Sequence, residues 1–271
     1  MLDYVVKDET LDLELRGTYI TVYYRGAKLL TVQEKDFKIE SLDKKYCNAL
    51  GVAIPNLCII EEYILHAKQI VDFYISGAKT SNHLGEKEIQ QLIVRENNYS
   101  PTSLDTDYFI IDIEFQNDEG RFDVVALRWD STSSARKLSK DYIPSITVFE
   151  VKQGINAISR KSGLVDHIED FEAFKDNTDL EEFRNDMIAV FEQKRVLGLI
   201  RGTEKYGVIK KVSDDIDFVF LLTNYKPASQ QLTNTLKDIA SCKFISSNMM
   251  GYGLYAANVM DKGDFENAFL K

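Results

Sequence analysis

The sequence predicts an α/β protein, a central mixed β-sheet flanked by helices, preceded by a small N-terminal α+β module. Strand-like runs rich in β-branched and aromatic residues alternate with amphipathic helical stretches from about residue 84 onward. The segment Ile216 to Asn224 (IDFVFLLTN) is almost continuously apolar, as a strand covered on both faces must be. Leu11 to Val32 alternates instead, and is broken at Arg16-Gly17 and Arg25-Gly26, the pattern of two or three antiparallel strands joined by tight turns. A boundary near residue 80 divides residues 1–80, an antiparallel sheet plus a long helix, from residues 81–271, the main α/β domain.

In the N-terminal module, Lys35 to Leu42 extends the strand pattern. Tyr19, Tyr23, Tyr24, Arg16 and Arg25 are residue types that stack on nucleic acid, although such residues more often pack a small sheet against a helix. Asn56 to Ser76 reads as that helix, with Leu57, Ile60, Ile64, Ile70, Val71 and Tyr74 near one stripe and Gly77 to end it. Lys79 to Asn82 links it to a second helix, Leu84 to Asn97, with Ser81 or Asn82 as N-cap. Next come Tyr108 to Gln116 and Arg121 to Trp129, joined by Asn117-Asp118-Glu119-Gly120, a strong hairpin signal. Ser145 to Gly154 (SITVFEVKQG) is a further short strand, and Gly154 to Gly163 a polar bend. Helices follow at Leu164 to Phe174 and Asp179 to Leu199, then the apolar strand, a helix at Ser229 to Ala240, and one or two strands between Cys242 and Val259. The glycines of GYGLYA, around Tyr252, fit a twisted edge strand.

Alternation places chemistry on two of these strands. Ile146, Val148, Glu150 and Lys152 share one face of the first, so an acid and a base emerge side by side from an apolar strand. On the second run of the hairpin, Asp123 shares a face with Arg121, Val125 and Leu127. If the two strands pair, Asp123, Glu150 and Lys152 meet at one end of the sheet. Two carboxylates so placed repel unless a cation lies between them, and oxygen ligands suit Mg²⁺ or Mn²⁺.

An Asp on the second strand of a hairpin followed by Glu-x-Lys on the third resembles the PD-(D/E)XK (restriction-endonuclease-like) nuclease superfamily. The match is Asp123 with Glu150-Val151-Lys152, and the resemblance runs roughly from Leu84 to Tyr255. Phe122 stands where the family name has proline. The resemblance implies a restriction-endonuclease-like core of helix, three strands, helix and strand. It also implies a metal-dependent phosphodiesterase acting on nucleic acid, DNA in the first instance, in many relatives as a homodimer. Asp123, Glu150 and the Val151 carbonyl would hold Mg²⁺ or Mn²⁺, and Lys152 would position or deprotonate the attacking water or neutralise the oxyanion. The preceding helix often adds an acid; Glu88 best fits that place, with Glu96 in reserve. His167 stands near in the sequence order, where a half-buried helix histidine beside a carboxylate is the commoner role than a contact to phosphate.

Composition bounds these readings. At 271 residues, 44% hydrophobic and 28% charged, the chain has the make-up of an ordinary globular protein. No apolar run approaches a membrane span, and MLDYVVKDET is no secretory signal. Cys47, Cys58 and Cys242 are odd in number and widely spaced, which fits reduced thiols and a cytoplasmic setting. Phosphate-loop, dinucleotide-binding and nucleophile-elbow motifs are missing, and His66, His83 and His167 lack zinc-ligand spacing. A net charge of −10 argues against a dedicated duplex binder, but seven Lys/Arg (128, 136, 137, 140, 152, 160, 161) face three Asp/Glu (130, 141, 150) between Arg128 and Lys161. A second reading therefore stands beside the nuclease: a catalytically inactive relative of the same fold, serving as a nucleic-acid or protein interaction module.

Overall fold

The structure, a computed structural model, describes residues 1–77, 85–139, 141–154, 163–223, 230–246 and 251–270. The expected link Lys79–Asn82, His83, Lys140, Arg160, Lys161 and most of the Gly154–Gly163 bend lie outside those residues, as do Asn224 and Ser229. After a short helix α1 (Leu2–Lys7), strands β1 (Asp12–Arg16), β2 (Tyr19–Tyr24), β3 (Ala27–Gln33) and β4 (Ile39–Glu40) form an antiparallel sheet in sequential order. Arg25 and Gly26, both at positive φ (47° and 76°), make the two-residue turn between β2 and β3, the geometry that matches the twist of a hairpin. A Cβ on Gly26 would lie 2.5 Å from the Lys87 Cβ, so this turn sits directly on the helix that begins at Gly85. Helices α2 (Lys44–Leu50) and α3 (Ile60–Gly77) complete the module. Tyr63, buried on α3, accepts from the Leu42 amide and donates to the Leu29 carbonyl, both at 2.6 Å, which locks helix to sheet.

Helix α4 (Gly85–Val94) leads through a π turn at Arg95–Tyr99 into the second sheet, whose strands are β5 (Tyr108–Gln116), β6 (Arg121–Arg128), β7 (Ser145–Gln153), β8 (Ile216–Thr223), β9 (Lys243–Ser246) and β10 (Met260–Asp261). Their order is β10-β9-β8-β7-β6-β5: antiparallel from β5 to β7, parallel from β7 to β9, with β10 antiparallel at the edge. The parallel steps need crossovers. Between β7 and β8 these are α6 (Leu164–Asn177) and α7 (Leu180–Val196); between β8 and β9 it is α8 (Gln230–Lys237). A four-residue helix α5 (Ser133–Arg136) precedes β7, and α9 (Lys262–Phe269) closes the described chain.

So the α/β expectation holds in its coarse form, a mixed six-stranded sheet with helices plus a separate antiparallel four-stranded sheet. The short elements α1, α2, α5, α9 and β10 escaped the sequence reading, although Asp43 capping α2 and Gly51 ending it at φ 67° were legible signals. The edge strand expected around Tyr252 is a correction. Residues 251–255 are irregular, pinned by Asn97, which donates to the Tyr252 carbonyl at 2.8 Å and accepts from the Leu254 amide at 2.9 Å. The edge is β10 instead.

One face of the large sheet packs on α6 and α7 through Phe171, Phe174, Phe183, Met187 and Phe191. The other face shares a continuous core with the N-terminal sheet, with Leu13, Val22 and Leu30 clustering with Ile110, Val124 and Val151. A polar seam runs along the same junction. Asp12, Glu14 and Arg16 alternate on β1 and meet, in turn, Gln91 at 2.7 Å, Lys194 at 2.8 Å and Asp112 at 2.7 Å. The Lys194–Glu14 pair is withdrawn from water on both sides, so removing one partner strands the other. Lys194→Met should destabilise the fold by about 3–5 kcal/mol in urea unfolding. Burial pushes the Asp12 carboxyl up from 3.8 to about 7, against the pull of Gln91, Lys194 and Arg95. A carboxyl raised on folding contributes stability below its unfolded value and loses it as pH climbs to the folded value. Asp12→Asn should therefore gain on the wild type, by on the order of 2–3 kcal/mol, between pH 5 and pH 8.

Candidate active site

The β6–β7 register sets the site. Leu127 lies opposite Ile146, Val125 opposite Val148, and Val124 opposite Phe149. Carried one residue on, the ladder sets Asp123 opposite Glu150 on the face that holds Val125 and Val148. Across the hairpin, Ile113 pairs with Val124 and Phe115 with Phe122, so Glu114 falls opposite Asp123. Three acids on three adjacent strands thus form one row. Glu114 was missed by the sequence reading, yet the hairpin gives it: with Gln116 opposite Arg121, two residues back is Glu114 opposite Asp123.

Each acid is handled differently. Glu114 sits in a left-handed backbone conformation (φ 54°), and its carboxylate is bound by Lys87, by Arg121 at 2.9 Å and by Gln90 at 3.0 Å. Those partners hold it below the usual carboxylate range despite burial. Asp123 accepts from the Val151 amide at 2.8 Å and from Gln90 Nε2 at 3.0 Å. Burial, then the negative charge of Glu150, hold its carboxyl well above the ordinary range; the Val151 hydrogen bond and Lys152 offset this only in part. Glu150 Oε1 lies 2.9 Å from Lys152 Nζ and 3.0 Å from His167 Nε2, and Lys152 Nζ lies 2.8 Å from the same His167 nitrogen. Asp123, Glu150 and Lys152 are brought together, with His167 joined to them. Of Val151 it is the amide that meets Asp123.

Glu88 is not brought in. Its carboxylate is engaged by Arg25 Nε at 2.7 Å, and Arg25 also holds Asp72 at 2.9 Å. Leu92 is only partly buried, whereas Ile89, Gln90, Ile93 and Val94 are buried and set the face that α4 turns to the sheet. At about 100° per residue, Glu88 lies roughly 200° from Gln90, while Glu86 lies within about 40° of it. Accordingly Glu86 accepts from the Gln153 amide at 3.1 Å, at the end of β7, and Gly85 packs so close that a Cβ would strike the Gln153 side chain. Glu96 accepts from Thr102 at 3.4 Å on the surface, away from the row. The residue α4 contributes is Gln90, buried, with an Oε1 that has no partner among the described residues.

The basic stretch from Arg128 to Lys161 also dissolves in part. Arg136 is buried, stacked on Phe109 and donating to the Thr106 carbonyl at 2.6 Å, and Arg128 pairs with Asp130 at 2.9 Å. In the N-terminal module Arg16, Tyr24 and Arg25 are likewise held by Asp112, Asp72 and Glu88, the packing role rather than the stacking one. No helix among the described residues is long and apolar enough to cross a membrane. Comparison with known families, curated proteins and solved structures gives no match.

The oxygen ligands available are the Asp123 and Glu150 carboxylates and the unpartnered Gln90 amide oxygen. Among the described residues no three His, Cys, Asp or Glu side chains gather as a metal-binding group. Two crowded carboxylates and an orphaned oxygen suit a small hard cation, with water completing its shell. Because Asp123 is raised on folding, its contribution to stability is lost as pH rises above the ordinary carboxylate range. Asp123→Asn should melt higher than the cation-free wild type at pH 8, by a few degrees, with the gap shrinking toward pH 4.

Proposed function

We propose that this chain is a metal-dependent phosphodiesterase that hydrolyses nucleic acid, DNA in the first instance, on a restriction-endonuclease-like core. The observation that carries the reading is the meeting of Asp123 with Glu150 and Lys152 at one end of the β6–β7 ladder. The order α4, β5, β6, β7, helices, β8 agrees with the element order of that superfamily. Buried acids facing one another weaken a fold, and a functional site is where that cost is ordinarily met.

Asp123, Glu150 and Gln90 Oε1 are the groups that would hold Mg²⁺ or Mn²⁺, with Glu88 left out. Such a cation, when bound, supplies Lewis acidity and a bound water of lowered pKa. In the hydrolysis, water adds to phosphorus and the bond to the leaving oxygen breaks, giving a phosphate and an alcohol. Lys152 Nζ lies beside Glu150 and carries protons that can meet the charge developing on the phosphoryl oxygens. Glu114 orients Gln90 from behind, through the amide nitrogen that Gln90 shares between it and Asp123. The non-catalytic reading draws on one feature: Glu150 Oε1 is already taken up by Lys152.

Thermal melts decide between them. Millimolar Mg²⁺, and Mn²⁺ more strongly, should raise the melting temperature of the wild type, by about 2.7 kcal/mol of stability at a hundredfold excess over the dissociation constant. Asp123→Asn and Glu150→Gln should lose that response, whereas Glu88→Gln should keep it. Lys152→Ala should also keep it while abolishing cleavage in a panel of single- and double-stranded DNA and RNA. A wild type indifferent to both metals, and inactive on the panel, leaves the interaction-module reading.

A further inference from the structure

We infer that His167 is a positioning residue for Lys152, a role that rests on the phosphodiesterase reading and adds a member to its site. The imidazole is fixed by its place in α6. His167 follows buried Leu164 by three residues and precedes buried Phe171 by four, so the packing that seats those two on the sheet also turns the ring toward β7. Its amide donates to the Gly163 carbonyl at 3.3 Å, in the first turn of the helix. The His167 side chain is 19% exposed, against 7% for Lys152 and 6% for Glu150. Nε2 stands 2.8 Å from the Lys152 ammonium and 3.0 Å from Glu150 Oε1, closing a triangle of three side chains from two elements.

A lysine side chain is a point charge on a flexible four-carbon stem, and about 2 kcal/mol of rotamer entropy must be suppressed to hold it in one place. Among the described residues, Glu150 Oε1 and, with the ring proton on Nδ1, His167 Nε2 accept from it. They are not equivalent once the site is loaded. With a divalent cation held at Glu150, less negative charge would be left to attract the ammonium, while the imidazole lone pair on α6 carries no charge to lose. His167 is then the anchor that keeps Nζ over the reacting phosphate, and a misplacement of the order of 1 Å costs on the order of a hundredfold in rate.

The test uses the full-length chain with His167→Ala and His167→Gln, the latter offering an amide oxygen in place of Nε2. On a DNA or RNA substrate that the wild type cleaves, His167→Ala should lower kcat by roughly tenfold to a hundredfold with KM unchanged. The Mn²⁺-induced rise in melting temperature should persist, and His167→Gln should recover part of kcat. A second readout needs no turnover: acylation by an amine-reactive ester, followed by mass spectrometry at each lysine. His167→Ala should raise the Lys152 rate severalfold relative to the other lysines, and His167→Gln should bring it back. If the wild type cleaves nothing but Lys152 labelling responds in this way, the phosphodiesterase reading falls while the hold of His167 on Lys152 is upheld. Unchanged kcat, or unchanged Lys152 labelling in both variants, overturns the positioning role. Should His167→Ala fail to fold, His167→Gln against the wild type decides by the same two measurements.

Discussion

Arg16 is the side chain on which the junction of this protein depends. Its guanidinium forks onto both oxygens of Asp112, at 2.7 and 3.1 Å, and continues to the carbonyls of Ile113 and Glu114. A planar donor fork suits this task, since it meets a carboxylate and bare backbone oxygens at once. β5 ends the large sheet, and an uncovered edge presents unpaired backbone groups. Arg16 satisfies some of those groups where the strand departs from regular geometry at Glu114. The small sheet is thus fastened to the large one by an ion pair at an edge as well as by shared apolar core.

That fastening continues into the candidate site. The Glu114 carbonyl faces Arg16, while its carboxylate is bound to Lys87, Arg121 and Gln90, and Gln90 passes the connection to Asp123. Bulges and left-handed residues re-aim side chains, and here the result is a carboxylate diverted from the acid row to its own set of cations. α4 is clamped on both sides, by Gly26 pressing on Lys87 and by Gly85 against Gln153. A helix so confined has little freedom in which face it shows the sheet. The N-terminal sheet, whatever else it does, helps set the orientation of the helix over the site.

Burial and local donors decide the state of each acid, in the site and in the seam alike. Glu114 is bound by three donors that hold it below the usual carboxylate range, whereas burial keeps Glu14 well above that range despite Lys194 and Arg16. Among the described residues, Asp123 and Glu150 have the Lys152 ammonium beside them. Glu114, with its full set of donors, holds α4 to the sheet, whereas Asp123 stays raised beside Glu150.

What the sequence determined by itself was periodicity and order. The alternation in SITVFEVKQ put Glu150 and Lys152 on one face with Val148, and the loop Asn117–Gly120 set a hairpin whose register aligns Asp123; both follow from a two-residue repeat that no distant contact can alter. The row to Glu114 was equally available by counting back from the turn. What only the tertiary structure decided was the rotation of α4 and the fate of each charge. A helix with partly apolar residues on several faces, Ile89, Leu92, Ile93 and Val94, has no single direction until the sheet, Gly26 and Gly85 constrain it. Glu88 therefore went to Arg25, a residue of a different module 63 positions away in the chain. Likewise Arg136, one of a run of basic residues in the sequence, found an interior aromatic cage. Local spacing fixes which side chains share a face; which partner neutralises a buried charge is a long-range matter, settled by whatever the fold brings within about 3 Å.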